Sequence, residues 1–485
     1  MKKINKIAIY TSLVATILAT GCKKEFLEVS PTTSIKASEA FTTPERIAAG
    51  LTGLYDLTTL SSYTHDMILN ADIKGNDILV ISSGNYSRFL TGYQYNQNFT
   101  SAEPLAYWNQ GYRIIAGCNQ FELNIPTSPL TAGEKTAYLA ETRALRAEAY
   151  FWLVRWFGKP YTVDPEALGV PLVLAPLGPT DVPPLRNKVK EVYAQIVADL
   201  LYAEANIPTS KTSVYRFTKA AIQGYLARVY LTMGNYTEAS KYAKLARASK
   251  PLNTAAALLT GFNNPTSEWI YALNVRTDDN QGFLQVHSFY EPYDIGYSTF
   301  RAADNFFDSF AANDERKKQF LVKSSPTAAA STATYHRRGT EGWLINKFDF
   351  TTTAATNTVL IRSSEMYLIE AEAEARLGVA NEPAAKLALQ AIQARAIPGT
   401  LLSLNTGQAL IDEILTERNK ELYGEGHKFF DLLRTKTPIV RLATNGHWLA
   451  LNLPVGDNRL VFPIPQAELN ANPLLKPQQN PGYAN

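Results

Sequence analysis

The chain has 485 residues, of which 46% are hydrophobic, and it carries 47 Lys and Arg residues against 44 Asp and Glu residues. Lys2, Lys3 and Lys6 belong to an N-terminal leader, so the rest of the chain has 44 basic and 44 acidic residues. This balance excludes a broad basic field of the kind that recruits nucleic acid. The length is enough to bury a large core in one or two domains.

The leader continues with an uncharged run over 7–20 that is rich in Ile, Leu, Val and Ala. This run is shorter than the ~20 apolar residues of a membrane-spanning helix and has the length of a signal-peptide core. It ends in the letters LATGC, which resemble a lipobox, although Ala19 stands where Leu is usual. We therefore predict a signal peptide over 1–21, a membrane-anchoring lipid on Cys22 and a tether over 22–42. An ordinary secretory signal beside a chance cysteine is the alternative.

The second cysteine, Cys118, has no partner in the chain if Cys22 carries lipid, so no disulfide is expected. Cys118 lies beside Ile114 and Ile115 in a helical pattern. This position predicts a buried structural thiol.

Apolar residues recur at helical spacing in four segments, which predicts helices near 44–58, 104–121, 131–157 and 187–206. Thr131 followed by Glu134 is a capping box that starts the third of them. A long segment rich in Gly, Asn, Ser and Tyr separates the first helix from the second, and loops of that length often carry function.

Segment 223–251 matches the spacing of a tetratricopeptide repeat, in which small residues lie where two antiparallel helices touch. Gly234 marks the turn, and alanines at intervals of three and four mark the second helix. A looser copy covers 365–398. Any helical hairpin with alanine contacts shares part of this pattern. Because repeat units cannot bury their faces alone, several are expected to stack.

Between the two hairpins, 252–359 is rich in Thr, Asn, Ser, Gly and aromatic residues and has no sustained helical period. We predict an irregular, loop-rich subdomain there. It follows a region of helical pairs over 43–251 and precedes a last helical pair with a Pro-rich tail over 360–485. The expected fold class is mainly α, with tetratricopeptide-like helical hairpins as a scaffold.

Four segments carry a resemblance to a known family. They are FLEVSP at 26–31, IRSSEMYLIEAEA at 361–373, ERNKELYGEGHKFFDL at 417–432, and FPIP with later NP and QNPGY at 462–483. Together with the lipoprotein start, they resemble the SusD/RagB family of Bacteroidota outer-membrane nutrient-binding lipoproteins. Two positions depart from its pattern: Lys428 stands where Arg is usual and Thr435 where Trp is common.

The resemblance implies helical pairs on one side of the protein and an irregular ligand-binding face on the other. It also implies a partner, a SusC-like TonB-dependent transporter, over which a lipid-anchored lid delivers its cargo at the outer membrane. Ligands of this family are mostly oligosaccharides, such as those of starch utilisation, while the RagB-like branch takes peptides.

Three glutamates of the third segment, Glu417, Glu421 and Glu425, recur at intervals of four. Like charges at that spacing on one helix repel mildly, so cations such as Arg362, Arg418 or Arg434 are expected to meet some of them. A solvated acidic face is the alternative, and both hypotheses make the segment structural.

No enzyme is indicated. The five histidines have no metal-ligand spacing, and neither a G-x-S-x-G elbow nor a phosphate-binding loop occurs. A pair of acidic residues of the glycosidase kind can form in space, but no sequence feature points to one. No cofactor or metal is expected.

Sugar rings stack on aromatic side chains while their hydroxyl groups bond to polar neighbours, so an aromatic-rich irregular surface suits glycan capture. Two aromatic segments and one tryptophan supply the candidate ligand-binding residues, namely Tyr86, Tyr93, Tyr95, Asn96, Tyr290, Tyr293, Tyr297, Arg301 and Trp343. These aromatic residues can equally fill a core or face the transporter. Three functions stay open: a glycan-binding protein, a peptide-binding relative, and a tetratricopeptide scaffold that binds only protein.

Overall fold

A computed structural model describes residues 39–82, 85–178, 180–291, 296–320, 344, 347–348 and 356–483. The chain divides into two compact units, residues 1–50 and 51–485. In the first unit the described part comprises a turn at 39–42 and the start of helix α1, where Arg46 lies 3.4 Å from Glu39. The predicted signal peptide, Cys22 and most of the tether lie outside the described residues. The finer division at 251 and 359 stays a prediction.

The described residues form mainly α-helices. These are α1 (Pro44–Thr59), α2 (Asp66–Ile73), α3 (Leu90–Tyr93), α4 (Ala102–Asn124), α5 (Ala132–Phe157), α6 (Val189–Asn206), α7 (Lys219–Met233), α8 (Tyr236–Arg247), α9 (Val286–Tyr290), α10 (Asp304–Asp308), α11 (Ser363–Arg376), α12 (Glu382–Ala396), α13 (Gly407–Glu421), α14 (Lys428–Arg434) and α15 (Gln466–Ala471). A π-helix, Ser61–His65, precedes α2. Short 3₁₀ turns lie at Ile125–Thr127, Ala257–Leu259, Gly282–Leu284, Glu315–Gln319, Val379–Asn381, Ala443–Asn445, Asn458–Leu460 and Pro473–Gln478.

Short strands pair as two-stranded antiparallel ribbons. They are β1 (Ile78–Val80) with β3 (Phe300–Ala302), β2 (Trp269–Leu273) with β4 (Thr358–Arg362), and β5 (Ile439–Arg441) with β6 (Leu451–Leu453). The sequence did not predict these strands. Strands β1 to β4 are buried at every position, so they lack the apolar–polar alternation that marks a half-exposed strand.

The long helices form a row in the second unit. Each of α4 to α8 packs against the next, α8 packs against α11, and α11 also contacts α12 and α13. Small residues allow the close approaches, as at Gly111 of α4, where a Cβ would lie 2.9 Å from the Leu153 side chain of α5. This arrangement confirms the mainly α fold class with a hairpin scaffold.

The helices predicted in the first half are confirmed within a few residues as α1, α4, α5 and α6. The capping box of α5 is also present, because Thr131 Oγ1 accepts from the Glu134 amide and Glu134 Oε2 accepts from the Thr131 amide. Cys118 on α4 is buried and free, as expected.

Both predicted tetratricopeptide-like hairpins form. Helices α7 and α8 meet at Gly234, whose φ of 79° is the left-handed conformation that favours glycine at a helix end. Helices α11 and α12 form the second hairpin, with Gly378 at φ 107° between them. Among the described residues, no helix is both long and apolar enough to span a membrane.

A buried cluster of charges joins the end of the β2–β4 ribbon to the end of α13. Arg362, the last residue of β4, donates to Glu268 Oε1 at 2.9 Å and to Glu421 Oε1 at 2.6 Å. It also donates to the Glu425 carboxylate at 2.8 and 2.9 Å. The four side chains are at most 6% exposed. A buried charge without a partner is costly, so each of them depends on the others.

We call this cluster the Glu421 network, and it consists of those four residues together with Glu417, Arg316, Arg395 and Lys347. Arg395 Nη2 lies 2.6 Å from Glu421 Oε2 as an ion pair. Burial raises the pKa of Glu421, but Arg395, Arg362 and Arg316 outweigh burial and hold that pKa well below its usual value. Glu421 is therefore ionised in the folded protein at neutral pH.

Of the three cations that the sequence suggested as partners, Arg362 is confirmed, because it pairs with Glu421 and Glu425. Arg418 and Arg434 instead donate to Asp431, each at 2.8 Å. Glu425 lies beyond the end of α13, so the three glutamates do not share one helix. It still reaches Arg362 because the chain turns back after α13.

The substitution Glu421→Gln is expected to lower the free energy of unfolding by about 3–5 kcal/mol, because it leaves buried cations without their partner. Urea denaturation followed by circular dichroism measures this change. A depressed pKa in the folded state gives stability that is present above the unfolded pKa of about 4.3 and is lost as pH falls below it. The variant should therefore lose less stability than the parent below about pH 4.3.

The matched control is Glu315→Gln, because Glu315 pairs with Lys318 at 2.6 Å near the surface. Exposed pairs of this kind contribute less than about 1 kcal/mol. Equal losses of unfolding free energy in Glu421→Gln and Glu315→Gln would contradict a dominant role for the Glu421 network.

Candidate functional site

The two aromatic segments found in the sequence meet at one end of the β1–β3 ribbon. The ribbon pairs Val80 with Phe300, and the Ile81 amide donates to Thr299 O at 3.0 Å. In an antiparallel pair, the residues after one strand lie beside those before the other. The chain following β1 is therefore brought against the chain preceding β3, more than 200 positions away.

A buried aromatic base supports this end of the ribbon. The Phe89 ring meets Phe289 edge to face at 4.9 Å and Phe300 at 5.5 Å. All three side chains are buried. The Tyr297 ring stacks on Phe289 with centroids 4.8 Å apart, so it is held flat on the base. Aromatic pairs in these geometries contribute about 0.5–1.5 kcal/mol beyond the area they bury.

Four side chains above the base form what we call the aromatic surface: Tyr86, Arg88, Phe283 and Tyr297. The Tyr86 side chain is 77% exposed, and its ring lies edge-on to Tyr297 at 5.7 Å. Phe283 is 46% exposed and lies 6.3 Å from Tyr297. The guanidinium carbon of Arg88 lies 5.3 Å from the Tyr297 ring centroid. The surface thus offers apolar ring faces beside a planar cation.

Strained backbone underlies the aromatic surface. Tyr86, Ser87 and Phe89 have φ values between 52° and 58°, and Ser298 has φ 48°. Each non-glycine residue in this region costs about 1–3 kcal/mol and persists only where its surroundings hold it. Such residues concentrate at functional sites, so their grouping here favours a functional role for this surface.

Hydrogen bonds hold the strained turns in place. Asn85 donates from its side-chain amide to Ile81 O and accepts from the Ser87 amide at 3.0 Å. The Tyr297 amide donates to Ser288 O at 2.9 Å. Both tyrosines of the surface are therefore fixed by neighbours that precede or follow the ribbon. A surface built this way is formed before a ligand arrives.

Several residues expected at the ligand face lie in the core instead. Tyr93, Tyr95, Tyr290 and Arg301 are at most 3% exposed. The Tyr93 hydroxyl lies 2.6 Å from His447 Nδ1. A side chain that is enclosed and hydrogen-bonded inside the protein has no face to offer a ligand, so we assign these four residues to the core.

The other three core residues also have polar partners. The Tyr290 hydroxyl donates to Asp72 Oδ2 at 2.7 Å, and Arg301 lies 3.3 Å from Asp304 Oδ1. The Tyr95 hydroxyl donates to the Lys74 carbonyl oxygen. Burial raises the pKa of Tyr95 well above its usual value, and burial together with Asp72 does so for Tyr290, which keeps both hydroxyls protonated as donors.

Of the other expected residues, Tyr86 and Tyr297 lie on the aromatic surface, and Asn96 is exposed in the turn after α3. Tyr293 and Trp343 lie outside the described residues. Arg88 was not predicted as a site residue, although its position two residues after Tyr86 in an aromatic loop indicates a cation beside the aromatic rings. Among the described residues, no group of three or more His, Cys, Asp or Glu side chains is arranged to hold a metal ion.

Comparison with known proteins gives two family matches. A model of the SusD family matches residues 285–483, and a model described as starch-binding associating with outer membrane matches residues 25–231. SusD-like protein P38 of Formosa agariphila is 25% identical over 533 aligned positions, which cover 100% of each chain.

Solved structures agree with these matches. A SusD superfamily protein from Bacteroides vulgatus superposes with a TM-score of 0.80 at 27% identity, over 92% of this chain and 100% of its own. A laminarin binding SusD-like protein gives a TM-score of 0.72 at 25% identity, over 91% of this chain and 100% of its own. With the confirmed helical scaffold and signature segments, these matches show that the chain belongs to the SusD/RagB family.

Proposed function

We propose that the protein captures oligosaccharides on its aromatic surface and passes them to a SusC-like TonB-dependent transporter at the outer membrane. The observation that carries this proposal is the Tyr86 ring, which is 77% exposed and held beside Tyr297 and Arg88 on a buried base. An exposed aromatic ring on a rigid support loses little conformational entropy when a ligand stacks on it.

The chemistry of the surface suits a sugar. The apolar face of a pyranose ring stacks on an aromatic ring, and the Arg88 guanidinium donates hydrogen bonds to sugar hydroxyl groups. A relative of similar fold is named as laminarin binding, and one matching family model is described as starch-binding. Both support a carbohydrate ligand over the peptide and protein-only alternatives.

The substitution Tyr86→Ala is expected to weaken oligosaccharide binding by about tenfold or more, since a stacking aromatic at the centre of a site is worth about 1.4 kcal/mol or more. Affinity electrophoresis through gels containing laminarin, starch and other polysaccharides identifies the ligand, and calorimetry of the purified protein measures the loss. The ligand should be recovered uncleaved.

The matched control is Leu404→Ala, which truncates an apolar side chain that is 96% exposed in the segment between α12 and α13. This variant should bind like the parent. Binding of oligopeptides but of no polysaccharide would favour the peptide-binding alternative. A Tyr86 variant that still binds its polysaccharide normally would remove the aromatic surface as the site.

The membrane anchor is proposed from the sequence, because Cys22 ends a run of signal-peptide length. Mass spectrometry of the mature protein should find residue 22 at the N-terminus carrying acyl chains, since two or more chains hold a protein stably at a bilayer. Cys22→Ala should move the protein from the membrane fraction to the soluble fraction. A free, unmodified cysteine at position 22 in the mature protein would contradict the anchor.

The transporter partner is proposed from the family resemblance and from the outer-membrane association named for one matching family model. Purification from native outer membranes in mild detergent should yield the protein together with a TonB-dependent barrel, detectable by mass spectrometry. The variant Tyr86→Ala, if it loses only ligand binding, should still retain this partner. Recovery of the protein without any barrel would argue against a stable complex.

A further inference from the structure

A polar cleft lies at the opposite end of the β1–β3 ribbon from the aromatic surface. At this end the Ala303 amide donates to Asp77 O at 2.7 Å, directly before β1. The cleft has a volume of about 380 Å³, and its polar lining includes Asn76, Asp77, Asn305, Asn419, Lys420 and Lys428. This volume lies in the range of pockets that hold small molecules. We call it the Asp77 cleft.

The carboxylate of Asp77 is incompletely paired. Asp77 is 3% exposed, and its Oδ1 accepts no hydrogen bond from another residue within the described part of the chain. Burial raises the pKa of Asp77 to about 6, although Lys428 and the Asn419 amide act in the opposite direction. Buried acceptors without a donor are rare in folded proteins and call for an explanation.

A ligand in the cleft can supply the missing donor. The terminal torsion of an aspartate is soft, so a rotation of the carboxylate presents either oxygen to the cleft that Asp77 lines. The backbone of Asp77 is anchored beside the cleft, because its carbonyl oxygen accepts from the Ala303 amide at 2.7 Å.

The charges around the cleft favour a neutral ligand. Asp77 and Asp412 line it together with Lys420 and Lys428, while Asp431 is already held by two arginines. A cationic ligand would meet the ammonium groups, and an anionic ligand would meet the carboxylates. Most of the other lining side chains are amides or hydroxyls, which exchange hydrogen bonds with alcohol groups.

We propose that the Asp77 cleft is a second ligand site, which takes a free mono- or disaccharide. A hydroxyl group of the sugar donates to the Asp77 carboxylate, and neighbouring sugar oxygens accept from Lys428 and from the Asn305 amide. The site is separate from the aromatic surface, and its occupancy does not require a polymer to stack on Tyr86.

Saturation-transfer NMR of the full-length protein tests this proposal, with D-glucose, maltose and laminaribiose as probes and with dissociation constants from titration. At least one probe should bind. Asp77→Asn should weaken that binding about tenfold or more, because an amide cannot accept at both positions. In the Tyr86→Ala background, where the aromatic surface no longer contributes, probe binding should persist and Asp77→Asn should still weaken it, which separates this site from the aromatic surface.

A pair of variants at Thr435 tests the cleft without changing Asp77. Thr435 is partly exposed where α14 ends and lines the cleft, so Thr435→Trp should fill the space and abolish probe binding. Thr435→Ser is the matched control, because its hydroxyl can keep the hydrogen bond to Asp431 O without closing the cleft. If circular dichroism shows that Asp77→Asn does not fold, the Thr435 pair decides the outcome.

Several results would overturn the proposal. They are the absence of binding by all three sugars, binding that Thr435→Trp leaves intact, and binding that is lost in Tyr86→Ala instead. Displacement of the sugar by a zwitterion such as glycine at lower concentration would show that the cleft selects a charged ligand and would also overturn it.

Discussion

The bond between Arg362 and Glu421 ties together parts of the molecule that the chain itself keeps apart. Arg362 ends β4 and immediately precedes α11, whereas Glu421 ends α13. The Arg362 guanidinium also donates to Glu268, which directly precedes β2, and to Glu425, which lies beyond the end of α13. Burying these charges is unfavourable unless they are paired, so the pairing favours the observed arrangement of the β2–β4 ribbon, α11 and the end of α13.

The helical scaffold and the aromatic surface are held by different sets of contacts. The helix row buries its apolar faces by stacking, and the Glu421 network joins the β2–β4 ribbon to that row. The β1–β3 ribbon then carries the aromatic base, and the strained turns at Tyr86 and Ser298 are held by hydrogen bonds from their neighbours. Strain of this kind is tolerated only where the surrounding structure is over-determined.

The two positions that depart from the family pattern lie together in the structure. Lys428 and Thr435 both line the Asp77 cleft, where a shorter or smaller side chain leaves more space. The exchange of Arg for Lys also removes a planar fork that binds carboxylates with two hydrogen bonds. The sequence marked both positions, but only the folded chain shows that they face the same volume.

The sequence by itself determined the helical scaffold, the capping of α5, the buried thiol of Cys118 and the family, because helical period and signature spacing are local properties. It also located the two aromatic segments. Only the tertiary structure decided which tyrosines face solvent. Pairing of Val80 with Phe300 places Tyr86 and Tyr297 outside, while His447 and Asp72, distant in sequence, enclose Tyr93 and Tyr290. Burial depends on contacts between remote segments, and no local pattern records them.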